Sequence, residues 1–270
     1  MSNVNEGDLI LHCLEKMTSK EQLCEIAVSR GLKIKTTMTI PVLAKLVSQS
    51  GITLSEIVRI FRERYEAPPI ETLKAAMLSG KLKGHDWHGA RPSTMHMQFQ
   101  DRVRECIAGH LTLDALLKMG TDIARQEFFI VAQHDIVEAA IIQAFPDVIP
   151  EIGKKSVTDF VFNGFPVDLK VSTYPAAWGD IAGRMSSDDK KQFAIDFFCN
   201  ADIERMRKQA AKARYTWGLN RMYVLVKDPN EWFSTPDQVI QRLVAQMKDC
   251  TEPFRVVANG FNMDCFVFEI

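Results

Sequence analysis

The stretch that most constrains this chain is residues 156–173, SVTDFVFNGFPVDLKVST. Apolar and β-branched residues flank the pair Asn163-Gly164, a pattern that specifies a β-hairpin closed by a two-residue turn. With the turn there, Phe162 pairs with Phe165, and counting outward sets Asp159 opposite Asp168. Opposed residues share one face of a sheet with Cβ atoms about 5 Å apart, and Lys170, two residues on, emerges on that same face. Like charges directly opposite each other destabilise a sheet, so something must compensate, and a divalent cation between the two carboxylates is the simplest candidate. Pro166 has no N–H for a ladder, so the second strand has an open side or a bulge beside it, and a bulge would shift this pairing.

Just upstream, residues 133–145 (QHDIVEAAIIQAF) have helical spacing. Glu138 precedes Ile141, Ile142 and Phe145 by three, four and seven positions, which puts it on their apolar stripe. A carboxylate on a buried stripe is costly unless it is paired or bound to a cation. The order is therefore a helix with Glu138, then Asp159, then Asp168-Leu169-Lys170. On a helix followed by a hairpin, that order resembles the PD-(D/E)xK nuclease superfamily, directly over about residues 133–173 and over 203–270 in the pattern of elements. Thr158 stands where the motif has proline, and Asp168 where glutamate is commoner.

The resemblance implies an α/β fold, restriction-endonuclease-like, with a mixed central sheet flanked by helices and, here, an all-helical N-terminal domain. It implies a Mg²⁺-dependent endonuclease acting on double-stranded DNA, most like a type II restriction endonuclease, working as a homodimer alongside a cognate DNA methyltransferase. Asp159 and Asp168 would then bind the metal, with the carbonyl of Leu169 as a further ligand and Glu138 acting through water or on a second ion. Lys170 would orient the attacking water. Mg²⁺ prefers oxygen ligands and keeps several waters, so two carboxylates and a carbonyl suffice for it. Plainer readings stay open. Asp159 would cap or salt-bridge a strand end, Asp168 and Lys170 would form a solvated charged stripe on an edge strand, and Glu138 would face water. A nuclease of the same fold in phage, repair or defence, or a non-catalytic DNA-binding or assembly protein retaining the fold, is the alternative function.

Composition permits these readings without selecting one. The chain has 270 residues, 46% hydrophobic and 25% charged, with a net charge of −1, so any nucleic-acid binding has to come from local patches. The six cysteines form no C-x-x-C pair, which argues for reduced thiols rather than a zinc site or disulfide framework. With no apolar run of about 18 residues and no secretory pattern at the start, a cytoplasmic protein is expected.

Residues 1–92 are expected to form a helical domain and linker, and 93–270 the nuclease core. Ser19 caps a helix that Gly31 ends, Pro41 sits in the first turn of the next, and Thr53-Leu-Ser-Glu56 is a capping box. Lys20–Val47 is similar to small helical nucleic-acid-binding modules of the SAP or Rho-N-terminal type; a packing or dimerisation subdomain is the other reading. The segment 80–93 reads as a basic linker carrying His85, Asp86, Trp87 and His88. A helix over 203–214 carries Arg207, Lys208, Lys212 and Arg214, either a DNA-gripping face or a solvated one; the resemblance adds Gln209 to it. Strands are expected at 222–226, 254–258 and 265–268, with a helix at 236–249.

Overall fold

The computed structural model describes residues 5–80, 101–153, 158–173, 184–186, 188–193, 195–196, 220–250, 252–258 and 261–270. Five helices open the chain: α1 (Glu6–Lys16), α2 (Lys20–Ser29), α3 (Ile40–Ser48), α4 (Leu54–Arg64) and α5 (Ile70–Leu78). Their starts follow from the sequence. The Ser19 and Thr53 hydroxyls accept from the N–H groups of Gln22 and Glu56, whose side chains reach back to the capping residues. Pro41 lies in the first turn of α3, where its missing N–H costs nothing. The long helix α6 (Leu113–Ala144) follows, capped by Thr112. Then come β1 (Ile149–Pro150), β2 (Phe160–Phe162), β3 (Phe165–Thr173), β4 (Asn220–Val226), a 3₁₀ turn (Pro229–Phe233), α7 (Pro236–Asp249), β5 (Phe254–Ala258) and β6 (Phe261–Glu269).

The six strands form one mixed sheet in the order β1-β2-β3-β4-β6-β5. The α/β class expected from the sequence is therefore present. β1, β2 and β3 are antiparallel neighbours, β3–β4 and β4–β6 are parallel, and β5 returns antiparallel on β6. β2 and β3 are the expected hairpin. Phe162 pairs with Phe165, and Asn163 (φ 50°) and Gly164 (φ 83°) take the left-handed conformations a tight turn of this kind requires. Val161 pairs with Pro166 and Phe160 with Val167, so the register runs through the proline without a slip.

Strand alternation separates two kinds of residue on β3 and β4. Val167, Leu169, Met222 and Val224 face α6 and α7 in the largest apolar core, with Phe160, Phe162 and Phe266. Tyr223 and Leu225 point the other way, into a smaller core with Ile195, Cys265 and Val267. Asp168 and Lys170 alternate with the core residues of β3 and are half-buried.

The N-terminal helices are fastened to the hairpin side of the sheet. Ile149, Ile152 and Val161 share a core with Leu14, Met17, Leu23 and Phe61. Ile152 N–H donates to the Met17 carbonyl (3.0 Å), Gln22 Nε2 to the Ile152 carbonyl (2.8 Å), and Arg62 Nη1 to the carbonyls of Phe145 (3.1 Å) and Val148 (3.2 Å). At this junction Gly153 runs so close to the α1–α2 connection that an added Cβ would stand 2.7 Å from the Thr18 carbonyl carbon. Backbone cannot yield as a side chain does. Gly153→Ala is therefore expected to cost about 1–3 kcal/mol, measurable as a lower midpoint in urea unfolding. Among the described residues no helix is long and apolar enough to cross a membrane.

Candidate metal and phosphate site

The hairpin end away from its turn meets the C-terminal half of α6, and the polar side chains of both collect there. β2 begins at Phe160. Asp159, one residue before it, gives its N–H to the Val167 carbonyl (2.9 Å), while its Oδ2 accepts the Leu169 N–H at 2.6 Å. Asp159 thus brackets Asp168 through bonds to both of its neighbours, rather than facing it across a further rung of the ladder. Its carboxylate replaces a backbone acceptor and is pinned by that bond. What the structure records for Leu169 at the site is this N–H; its side chain lies in the core.

Asp168 and Lys170 share a face of β3 and touch each other, Lys170 Nζ with Asp168 Oδ1. Arg221 is the register partner of Asp168 on β4 and sets its Nε 3.4 Å from Asp168 Oδ2. Asp168 therefore sits between two cations, one of them almost fully buried. Arg221 is a site residue that sequence reasoning missed. Only the parallel pairing of β3 with β4 brings it there, and no local pattern announces that pairing.

Glu138 projects from α6 toward the same place, where the Tyr65 hydroxyl at the end of α4 donates to its Oε1 (3.4 Å). One turn earlier on α6, His134 joins it. His134 Nδ1 is 3.8 Å from Glu138 Oε2, and His134 Nε2 is 4.0 Å from Asp159 Oδ2. One ligand atom from each of His134, Glu138 and Asp159 lies within 4.8 Å of the other two. His134 was also missed, although its spacing of four residues from Glu138 puts both on one helix face. Beyond Asp159, the buried Thr158 hydroxyl lies 3.3 Å from His12 Nε2 of α1, so the N-terminal helices reach the site from this side too.

The electrostatics follow from crowding. Burial, then the charge of Asp159, pushes the Glu138 carboxyl up to about 7. Burial, then the charge of Asp168, pushes Asp159 up to about 6 against the help of the Leu169 N–H and Lys170. Burial alone would lower His134, but its contact with Asp135 and the charges of Asp159 and Glu138 outweigh this and raise it. Burial is the largest cause for both carboxyls, a neighbouring carboxylate is the next, and the charge of His134 offsets part of each. The residues present therefore fit a divalent cation: two carboxylates and an imidazole, half-buried, with no ammonium or guanidinium among the three.

The four expected residues Glu138, Asp159, Asp168 and Lys170 are brought together, but in two groups. Glu138 and Asp159 converge with His134, whereas Asp168 is held by Lys170 and Arg221. Arg207, Lys208, Gln209, Lys212 and Arg214, the expected DNA-contacting helix, lie outside the described residues, as do His85, Asp86, Trp87 and His88 of the linker segment. Compared with family models, with characterised proteins and with solved structures, the chain matches none.

Proposed function

We propose that this chain is a divalent-cation-dependent nuclease that hydrolyses phosphodiester bonds of double-stranded DNA on a restriction-endonuclease-like core. In its finer form the proposal is a type II restriction endonuclease, a homodimer cutting a specific site that a partner methyltransferase would protect. The observation that carries it is that Asp159 stands between two groups from separate chain segments: Glu138 and His134 of α6 on one side, and the Asp168–Lys170 pair of β3 on the other. A bound divalent cation would supply an activated water and charge stabilisation at phosphorus.

The residues have separable tasks. Glu138 and Asp159 would hold the cation, and the Leu169 N–H fixes Asp159 Oδ2, the oxygen that lies 4.0 Å from His134 Nε2. Lys170 directs its ammonium by resting on Asp168, from where it orients the attacking water and stabilises charge developing on the phosphoryl oxygens. Arg221 anchors the far oxygen of Asp168, so that carboxylate and lysine keep their direction. Beside the acidic group, Asp168 with Lys170 and Arg221 carries one positive charge in excess, which suits a phosphodiester.

The test is incubation of plasmid and phage DNA with the purified chain in Mg²⁺, in Mn²⁺ and in EDTA, beside Lys170→Ala. Cleavage that needs the cation and falls about 10²–10³-fold in Lys170→Ala supports the reading. Discrete fragments support the restriction form, and a smear retains the nuclease while discarding that form. Intact DNA under every condition overturns the proposal in favour of a DNA-binding or assembly protein without catalysis.

A further inference from the structure

His134 is the one member of the acidic pocket that an oxygen-only magnesium site does not need. It stands one helical turn before Glu138, with ring nitrogens 3.8 Å from Glu138 Oε2 and 4.0 Å from Asp159 Oδ2. Both separations exceed hydrogen-bond contact, which ends near about 3.2 Å, so no shared proton joins the ring to either carboxylate. An imidazole binds an ion through one nitrogen: Nε2 faces Asp159, while Nδ1 lies 3.6 Å from Asp135 Oδ1. One ligand atom from each of His134, Glu138 and Asp159 lies within 4.8 Å of the other two, and side-chain rotation would draw them to the roughly 3–3.6 Å that donors about 2.0–2.2 Å from a common centre require. The other pairing, Asp159 with Asp168, is the less open one, because Lys170 and Arg221 already occupy both oxygens of Asp168.

We propose that the cation site of this protein is the imidazole of His134 with the carboxylates of Glu138 and Asp159, and that it selects a divalent first-row transition ion over Mg²⁺. The inference rests on the nuclease reading in taking this cation as the one that serves cleavage. Its own ground is the donor set. Mg²⁺ holds its waters tightly and favours oxygen alone, whereas an imidazole nitrogen raises affinity for Mn²⁺ and its neighbours in the series. Mn²⁺ accepts the same octahedral, water-rich arrangement as Mg²⁺, so two carboxylates and one imidazole leave it open positions for water and a phosphate oxygen. Both side chains of α6 point to one place because four residues bring a helix just past one full turn. Asp159 is fixed independently by the Leu169 N–H.

Mn²⁺ alone, added to the untagged full chain, is the probe. Continuous-wave electron paramagnetic resonance follows the loss of free Mn²⁺, competition with Mg²⁺ gives the affinity ratio, and pulsed measurements detect ¹⁴N coupled to the bound ion. The expected result is one tight Mn²⁺ with ¹⁴N modulation and a preference over Mg²⁺ of about tenfold or more. His134→Gln is expected to lose the modulation and about tenfold in Mn²⁺ affinity, with Mg²⁺ affinity little changed. Labelling the histidines of the wild-type chain with ¹⁵N is expected to remove the ¹⁴N modulation too, a check that leaves the fold untouched. Bound Mn²⁺ without nitrogen coupling, or unchanged affinity in His134→Gln, overturns the inference while the carboxylate site and the nuclease reading stand. Failure to bind either ion removes both.

Discussion

Asp159→Asn is expected to abolish cation-dependent cleavage, by roughly 10²–10³-fold or more, while making the cation-free chain more stable at pH 8. Asparagine keeps the size of the side chain and an oxygen to accept the Leu169 N–H, so the hairpin end loses no bond. What it removes is a charge that folding places against Glu138 and Asp168. The Asp159 carboxyl moves from its usual 3.8 to about 6, and Glu138 from 4.5 to about 7.

Both groups keep their protons to higher pH in the folded chain than in the unfolded one. The folded state therefore binds more protons between about pH 4 and 7, and stability falls as pH rises through that window. His134 acts in the same direction, since its raised value contributes stability at low pH that is lost as the ring deprotonates. At one pKa unit per about 1.4 kcal/mol, and with the strain shared among three groups, removing the Asp159 charge is worth about 1–2 kcal/mol. That is a rise of about 2–6 °C in melting temperature. Thermal unfolding in EDTA at pH 5 and pH 8 checks it. An asparagine variant less stable than the wild type at pH 8 would mean that the crowding of charge is not what the site contains.

The largest purely structural effect is expected at Phe162. Its ring is buried at the start of the hairpin turn and meets Phe145 after α6 at 5.5 Å and Phe266 of β6 at 5.2 Å, both edge to face. Phe165 meets the same Phe266 at 5.9 Å. One side chain thus ties the hairpin to the helix that carries Glu138 and to the far side of the sheet. Truncation leaves a cavity that aromatic neighbours cannot collapse to fill. Phe162→Ala is expected to cost about 3–5 kcal/mol, a fall of roughly 6–15 °C in melting temperature. Phe162→Leu, which fills most of the volume, is expected to recover much of the loss.

Legibility in the sequence followed locality. Asn163-Gly164 dictates its turn, and once the turn is placed the register of Phe162 with Phe165 follows by counting. The capping boxes at Ser19 and Thr53, the proline of α3 and the span of α7 are likewise matters of a few adjacent residues. Glu138 was visible because helical spacing places it on an apolar stripe, and the same spacing would have found His134. Arg221 and Tyr65 were beyond reach for a different reason. Arg221 meets Asp168 through a parallel pairing, and Tyr65 meets Glu138 across 73 residues of sequence from just past the end of α4, and neither contact leaves a periodic mark. The opposition counted for Asp159 and Asp168 also needed the structure. The ladder gives way at Phe160, and a side-chain acceptor takes over where a backbone carbonyl was expected.

The most direct test of the cation site is anomalous X-ray scattering from crystals of the chain soaked in Mn²⁺, recorded on both sides of the manganese edge. One strong anomalous peak is expected within bonding distance of Glu138 and Asp159 at the end of the β2–β3 hairpin. Crystals that take up Mn²⁺ only elsewhere, leaving those carboxylates without a peak, would contradict it.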